Sequence, residues 1–192
     1  MNMNTPAQKI APIFNGLDTE ALTQALGAVS ADPALAAVAF RAKTSWQGAC
    51  RTRSEIESYD MGGQRIARRH RIETDEPLEL LGQNSAPNPQ DLILSALASC
   101  MTVGFVVNAT GMGVRIDSLE IDTECAFDLR GAFGLDPNVA PGAESIQYTV
   151  RVKGSGTREQ FEEILRNVIA TSPNYHHLSK PIRLESRLEV LG

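Results

Sequence analysis

Hydrophobic and polar positions alternate along much of this chain, and two stretches change to a helical period. Asp18 is placed to cap a helix from Thr19 to about Val29, with Leu22, Leu26 and Val29 on one face. Pro33 suits the first turn of a second short helix, Ala34 to Val38. Neither helix is rich in large apolar groups, so residues 1–39 read as a helical N-terminal extension lying on a main domain of residues 40–192. Phe40 to Trp46 reads as a strand. Arg51 to Tyr59 and Arg65 to Glu73 follow as a pair around the turn Met61-Gly62-Gly63-Gln64, with Ile66 and Ile72 on one face.

Thr74 to Asn88 reads as a loop, and Pro89 suits the start of a long helix to about Thr110, stopped by Gly111. Val114 to Leu129 carries Val114, Ile116, Leu119, Ile121 and Thr123, the pattern of a strand. A Gly/Pro loop spans Arg130 to Gly142. Ser145 to Lys153 then alternates through Ile146, Tyr148, Val150 and Val152. Thr157 caps a helix to about Ala170, with Phe161, Ile164, Leu165, Val168 and Ile169 on one face, and Pro173 ends it. Ile182 to Leu191 alternates again and is expected to close the sheet. Runs of strands separated by two helices give an α+β class with antiparallel sheets.

The long helix constrains the rest. Leu92 to Val114 holds no charged residue over 23 positions, a length that could span a bilayer. The run also carries Ser95, Ser99, Thr102, Asn108 and Thr110, and its dense apolar part stops at Val107. It therefore reads as a buried central helix, with no membrane involved. One sheet cannot cover a helix that is apolar all round, and a second subunit in an intimate homodimer is the natural cover.

Composition narrows the function. Eighteen basic against 23 acidic residues leave a net charge of -5, which argues against nucleic acid as a partner. Aromatic residues make up only 5%, too few for a platform that stacks single strands. Met1 to Gly16 is polar and broken by Pro6 and Pro12, without the apolar run of a secretory signal. Cys50, Cys100 and Cys125 are odd in number and widely spaced, which suits a reducing cytoplasm and no disulfide framework. No cysteine or histidine spacing suggests a metal, and no cofactor is expected.

Cys100 stands in the middle of the long helix, in Ala-Leu-Ala-Ser-Cys-Met. A buried thiol is ordinarily inert, and a reactive one needs a cation nearby. Arg51 and Arg53 in one strand, and Arg65, Arg68, Arg69 and Arg71 in the next, are the candidates. Cys50 and Cys125 are candidate partners for an oxidised Cys100. His176 and His177 read as a polar pair in a loop.

Several motifs together resemble the OsmC family, which includes the organic hydroperoxide resistance proteins. They are Asp75-Glu76-Pro77, Leu80-Leu81-Gly82, Pro87-Asn88-Pro89 and Ser95-Ala96-Leu97-Ala98-Ser99-Cys100. Asp128-Leu129-Arg130-Gly131 and Thr171-Ser172-Pro173 fit the same pattern. The match spans roughly residues 41–192, and Asn15-Gly16-Leu17-Asp18 resembles a longer subgroup. The resemblance implies an OsmC-like fold, an intertwined homodimer with sites at the subunit interface, and cysteine-based reduction of organic hydroperoxides. It assigns the attacking cysteine to Cys100, the arginine to Arg51 with Arg53 as the alternate, and the carboxylate position to Gln90, with Asp91 adjacent. In a straight helix Asp91 lies roughly 13 Å from Cys100 and on the opposite face, where helix capping is its competing role. The second cysteine of the family falls at Ser172, which can form no disulfide but can donate a hydrogen bond to a thiolate.

The expected function is therefore a one-cysteine hydroperoxide reductase that an external thiol recycles. Two alternatives are a non-catalytic scaffold that binds a small hydrophobic ligand at the dimer interface, and a redox sensor.

Overall fold

The structure is a computed structural model that describes residues 12–192. Most of the N-terminal stretch that reads as lacking a secretory signal, and the first part of the expected extension, lie outside the described residues. The chain divides into two compact units, one ending at Ile93 and one running from Leu94 to Gly192.

The first unit opens with a small hairpin, β1 (Ile13–Phe14) and β2 (Leu17–Asp18). Asn15 and Gly16 both have positive φ, 48° and 80°, as a two-residue Asn-Gly hairpin requires. α1 (Thr19–Ala31) is capped as expected, with the Asp18 side chain accepting from the Ala21 N–H. Leu22 and Val29 are half-buried, but Leu26 between them is 62% exposed. A single 3-10 turn, Pro33–Ala36, replaces the second expected helix.

The strand expected at Phe40 to Trp46 is broken in two, β3 (Val38–Phe40) and β4 (Lys43–Trp46). Both pair antiparallel with the same long strand, β5 (Thr52–Met61). β6 (Gln64–Thr74) pairs along all of β5, with an irregularity between Ile56 and Ser58. Gly62 and Gly63, both at positive φ, make the intervening turn.

The loop after β6 is organised by one carboxylate. Asp75 is 1% exposed and has no cation beside it among the described residues. It accepts instead from the Glu76, Gln83 and Ser85 N–H groups and from the Ser85 hydroxyl, at 2.7–3.1 Å. A buried carboxylate needs this many donors to offset lost hydration. Gly82 lies so close to the Glu76 carbonyl that no Cβ fits there.

α2 (Pro89–Gly111) runs from the first unit into the second and matches the expected long helix. By length and composition it could cross a membrane. Leu97, Met101, Phe105 and Ala109, spaced four apart, form its buried stripe. Burial on all sides is not realised within one chain: Ile93 is 41% and Val103 64% exposed. The chain supplies cover for one stripe only.

That cover is an antiparallel pair and a helix. β7 (Ile116–Cys125) pairs with β8 (Ile146–Gly154). Leu119 and Ile121 of β7, and Ile146, Tyr148, Val150 and Val152 of β8, pack against the core cluster to which the α2 stripe belongs. α4 (Arg158–Thr171) adds Ile164 and Val168, both at most 1% exposed. Thr157 and Gln160 form a reciprocal capping box at its start. β7 stops four residues short of the expected Leu129. There Asp128 accepts from the Arg130 N–H and starts a short helix, α3 (Leu129–Ala132).

Two expectations at the C-terminus are corrected. Pro173 ends α4 but opens another helix, α5 (Pro173–Ser179), because proline tolerates a first turn. His176 and His177 therefore lie on a helix and not in a loop. The strand expected at Ile182 to Leu191 does not form. Residues 180–192 carry no regular structure, and Leu184, Leu188, Val190 and Leu191 are each more than 80% exposed. Alternation supplies one apolar face, but a strand also needs a backbone partner, and this segment has none among the described residues.

Donors around Asp75, the Ser85 hydroxyl foremost, hold its carboxyl below the usual carboxylate range against the opposing effect of burial. The stabilisation is therefore present above the unfolded value of about 3.9 and lost as pH falls toward the lower folded value. Asp75→Asn is expected to lower the thermal midpoint at neutral pH, with the deficit narrowing below about pH 4. Melting curves for both proteins from neutral to acid pH check this, and a deficit that does not depend on pH would contradict it.

Candidate functional site

The second unit brings Cys100 and Ser172 together across 72 residues of sequence. Cys100 sits half-buried one position before Met101 of the buried stripe. Ser172 is the junction of α4 and α5: its N–H bonds the Val168 carbonyl, and its side chain caps α5. The Ser172 hydroxyl oxygen accepts from the Tyr175 N–H at 3.3 Å, and the hydroxyl donates to Cys100 Sγ at 3.2 Å. The oxygen serves the helix cap, so its hydrogen is free to point at the sulfur. Ser172 is 6% exposed, which gives this contact little competition from water.

α5 is tied to α2 a second time. Asn174 Nδ2 donates to the Ala96 carbonyl at 2.8 Å. Tyr175 meets Tyr148 of β8 edge to face, with ring centroids 6.3 Å apart. Burial, with Tyr175 alongside, pushes the Tyr148 phenol above its ordinary value, so it stays protonated. No local pattern in the chain marks Asn174 or the tyrosine pair as site residues. Their contacts come from elements far apart in the chain.

Asp91 sits in the first turn of α2 and takes the capping role. Its Oδ2 accepts from the Asn88 N–H at 2.9 Å, and its own N–H donates to Asn88 Oδ1 at 2.8 Å. This is a reciprocal box of the Ser-x-x-Glu kind, built here from Asn and Asp. Gln90, beside it, is exposed.

The arginines differ in what holds them. Arg53 pairs with Glu73 at 3.2 Å, Arg65 with Asp60 at 3.2 Å, and Arg71 approaches Glu55 at 4.0 Å. Arg68 lies over the rings of Phe40 and Tyr59, 5.6 and 5.1 Å from their centroids. Arg51 has no carboxylate partner among the described residues, and its Nη2 donates to the Gln47 carbonyl at 3.3 Å. Its turn is tight, with Gly48 and Ala49 at φ 94° and 48°. A cleft of ≈ 320 Å³ in the first unit is lined by Gln47, Arg51, Arg53, Glu73 and Ser85, among others.

The remaining cysteines are occupied differently. The Cys50 thiol faces the Leu80 and Leu81 carbonyls at 3.8 and 3.6 Å. Cys125 is half-buried at the end of β7, opposite Ile146. Among the described residues no disulfide joins any of the three.

Comparison with known proteins gives a consistent result. The family model described as OsmC-like protein matches residues 82–187, more than half of the chain. No curated protein matches it. Among solved structures, an OsmC-like protein from Mycoplasma pneumoniae is 14% identical, covers 73% of this chain and 86% of its own, and has a TM-score of 0.56. An OsmC-like protein of unknown function from Vibrio cholerae is 12% identical, with coverage of 71% and 91% and a TM-score of 0.53. An OsmC-like hydroperoxide resistance protein from Jannaschia is 18% identical, with coverage of 80% and 93% and a TM-score of 0.44. At these identities the first two likenesses speak for the fold. The matched residues include Cys100 and Ser172, and the antiparallel α+β architecture agrees with those folds. The chain belongs to the OsmC-like protein family.

Proposed function

We propose that the protein reduces organic hydroperoxides through Cys100, in a one-cysteine form of its family's chemistry. The observation that carries this reading is the Ser172 hydroxyl, fixed by a helix cap and directed at Cys100 Sγ. A hydroxyl directed at the sulfur can donate to it as it acts as the nucleophile. The thiolate attacks one oxygen of the O–O bond, the bond breaks, and the released alkoxide takes a proton to leave as an alcohol. Cys100 becomes a sulfenic acid. Two equivalents of an external thiol then return it to the thiol, giving a disulfide and water. The scheme needs no metal or organic cofactor.

The cation that family chemistry calls for is assigned to Arg51. Its charge is unshared with a carboxylate among the described residues, whereas Arg53 is committed to Glu73. The helix cap already uses the Asp91 carboxylate, so its catalytic role is the weaker part of the assignment. Exposed Gln90 remains the position where the family carries its carboxylate.

We also read the protein as a homodimer of the cytoplasm. The uncovered side of α2 supports the dimer, as does a C-terminal segment with strand-like alternation and no strand partner among the described residues. Ile182, Leu184, Leu188 and Val190 alternate there with the ion pairs Arg183–Glu185 and Arg187–Glu189. Burying such a segment against a second copy satisfies both its apolar side and its backbone.

The chemistry is tested in protein with Cys50 and Cys125 replaced by Ser. Cumene hydroperoxide is expected to be consumed stoichiometrically, with a trappable sulfenic acid on Cys100. Ser172→Ala is expected to slow Cys100 alkylation and hydroperoxide reduction at neutral pH about tenfold, the effect of losing a hydrogen bond to a charged group. No hydroperoxide loss in the parent protein, with ligand-dependent melting that survives Cys100→Ala, would favour the binding scaffold instead.

In the same background, Ser172→Cys is expected to form an intramolecular disulfide with Cys100 after hydroperoxide treatment, because the side-chain atoms already stand 3.2 Å apart. Mass spectrometry after peptide digestion reads this directly. Sulfinic acid accumulating on Cys100 with no such bond would count against the geometry.

The dimer is checked by sedimentation. The full chain is expected to run as a dimer at micromolar concentration, and removal of residues 181–192 to weaken association. A full-length monomer would remove the second copy as the cover for α2.

A further inference from the structure

α5 is only seven residues long, too short to persist without outside support. Its start nevertheless decides where the Ser172 hydroxyl points. The hydroxyl oxygen accepts from the Tyr175 N–H at 3.3 Å, and that bond lasts only while the first turn of α5 is wound. With its oxygen so placed, the hydroxyl donates to Cys100 Sγ, 3.2 Å away. A hold from outside α5 is therefore needed to keep this first turn in place.

Asn174, half-buried at the second residue of α5, meets that need. Its Nδ2 donates to the Ala96 carbonyl of α2 at 2.8 Å, across 78 residues of sequence. The choice of carbonyl matters. In an α-helix the carbonyl of residue 96 is the acceptor for the N–H of residue 100. Asn174 therefore joins α5 to the turn of α2 that carries Cys100. A carbonyl oxygen has two lone pairs, so it can serve both donors. The contacts close a ring. Cys100 N–H and the Asn174 amide meet at the Ala96 carbonyl, Tyr175 N–H meets the Ser172 oxygen, and the Ser172 hydroxyl returns to the Cys100 sulfur. Tyr175, next in the chain, adds the edge contact with Tyr148 of β8.

We propose that Asn174 is a positioning residue for Cys100: through its bond to Ala96 it holds the first turn of α5, and with it the Ser172 hydroxyl, on the sulfur. The proposal rests on the reading of Cys100 as the working thiol and names a residue that acts on it through Ser172. Two residues that act in series are coupled. Once the Asn174 amide is gone, the contribution of the Ser172 hydroxyl goes with it.

A double-mutant cycle tests this on the full chain with Cys50 and Cys125 replaced by Ser. Asn174→Asp keeps the shape and suits a helix first turn, but has no N–H to give to Ala96. Asn174→Ala removes the group without adding charge. Alkylation of Cys100 by iodoacetamide is timed at neutral pH with and without Ser172→Ala. Ser172→Ala is expected to slow the parent about tenfold, and either Asn174 variant less than about threefold. The ratio within each background cancels any change in access to the thiol. Amide hydrogen exchange gives a second readout. The Tyr175 and His176 N–H groups are expected to exchange about fivefold faster in Asn174→Asp, with those of the buried α4 residues Ile164 and Val168 unmoved. A Ser172 effect of the same size in every background would overturn the proposal. Faster exchange spread equally through α4 would also overturn it, since Asn174 would then support the fold at large. Hydroperoxide loss is followed in the same proteins. Coupling of Asn174 to Ser172 in a parent that reduces no hydroperoxide would support the positioning role and overturn the peroxidase reading. Hydroperoxide loss without the coupling would do the reverse.

Discussion

The charge-free length of α2 is the constraint on which the rest of this molecule depends. From Leu92 onward the helix offers apolar or small side chains on every side, and water-facing cover for all of them exceeds what one β-hairpin and one helix provide. The chain resolves this in part. It packs β7, β8 and α4 onto the stripe Leu97, Met101, Phe105 and Ala109, and leaves Val103 open. A side chain at the edge of the buried stripe is placed by the core packed beside it. Cys100 occupies that edge.

The same packing gives Ser172 its role. Core residues Ile164 and Val168 seat α4 against α2, which carries the end of α4 to the level of Cys100. A proline then forces a fresh start to the backbone, and the new helix needs a cap. Ser172 supplies the cap through its oxygen and turns its hydrogen to the sulfur. One hydroxyl therefore links the termination of α4, the start of α5 and the environment of the thiol. A hydroxyl at this place can donate to the sulfur beside it and can form no disulfide with it.

The first unit relies on polar organisation more than on burial. Asp75 gathers four donors and shapes the loop through which the chain enters α2, and the Asn88–Asp91 box then fixes the first turn of the helix. Its arginines are sorted by their partners: carboxylates hold Arg53 and Arg65, and aromatic rings stack on Arg68. Among the described residues Arg51 keeps only a carbonyl, in a strained turn.

Much of the local structure was determined by the sequence itself. Asp18, Thr157 and Pro89 marked helix starts. Gly62-Gly63 marked a turn, alternation marked β5 to β8, and the spaced motifs around Cys100 marked the family. These signals are legible because they act over a few residues, through hydrogen bonds and torsions the neighbours themselves set. The Asn15-Gly16 hairpin was not read from the sequence, although the dipeptide favours positive φ at both positions. The tertiary structure alone decided the rest. The alternation of Ile182 to Leu191 could not report whether a neighbouring strand exists to accept its hydrogen bonds. The apolar surface of α2 could not report which side the chain covers. No local rule joins Ser172 to Cys100 across 72 residues, because that contact exists only once α4 has packed on α2 and stopped at the right height.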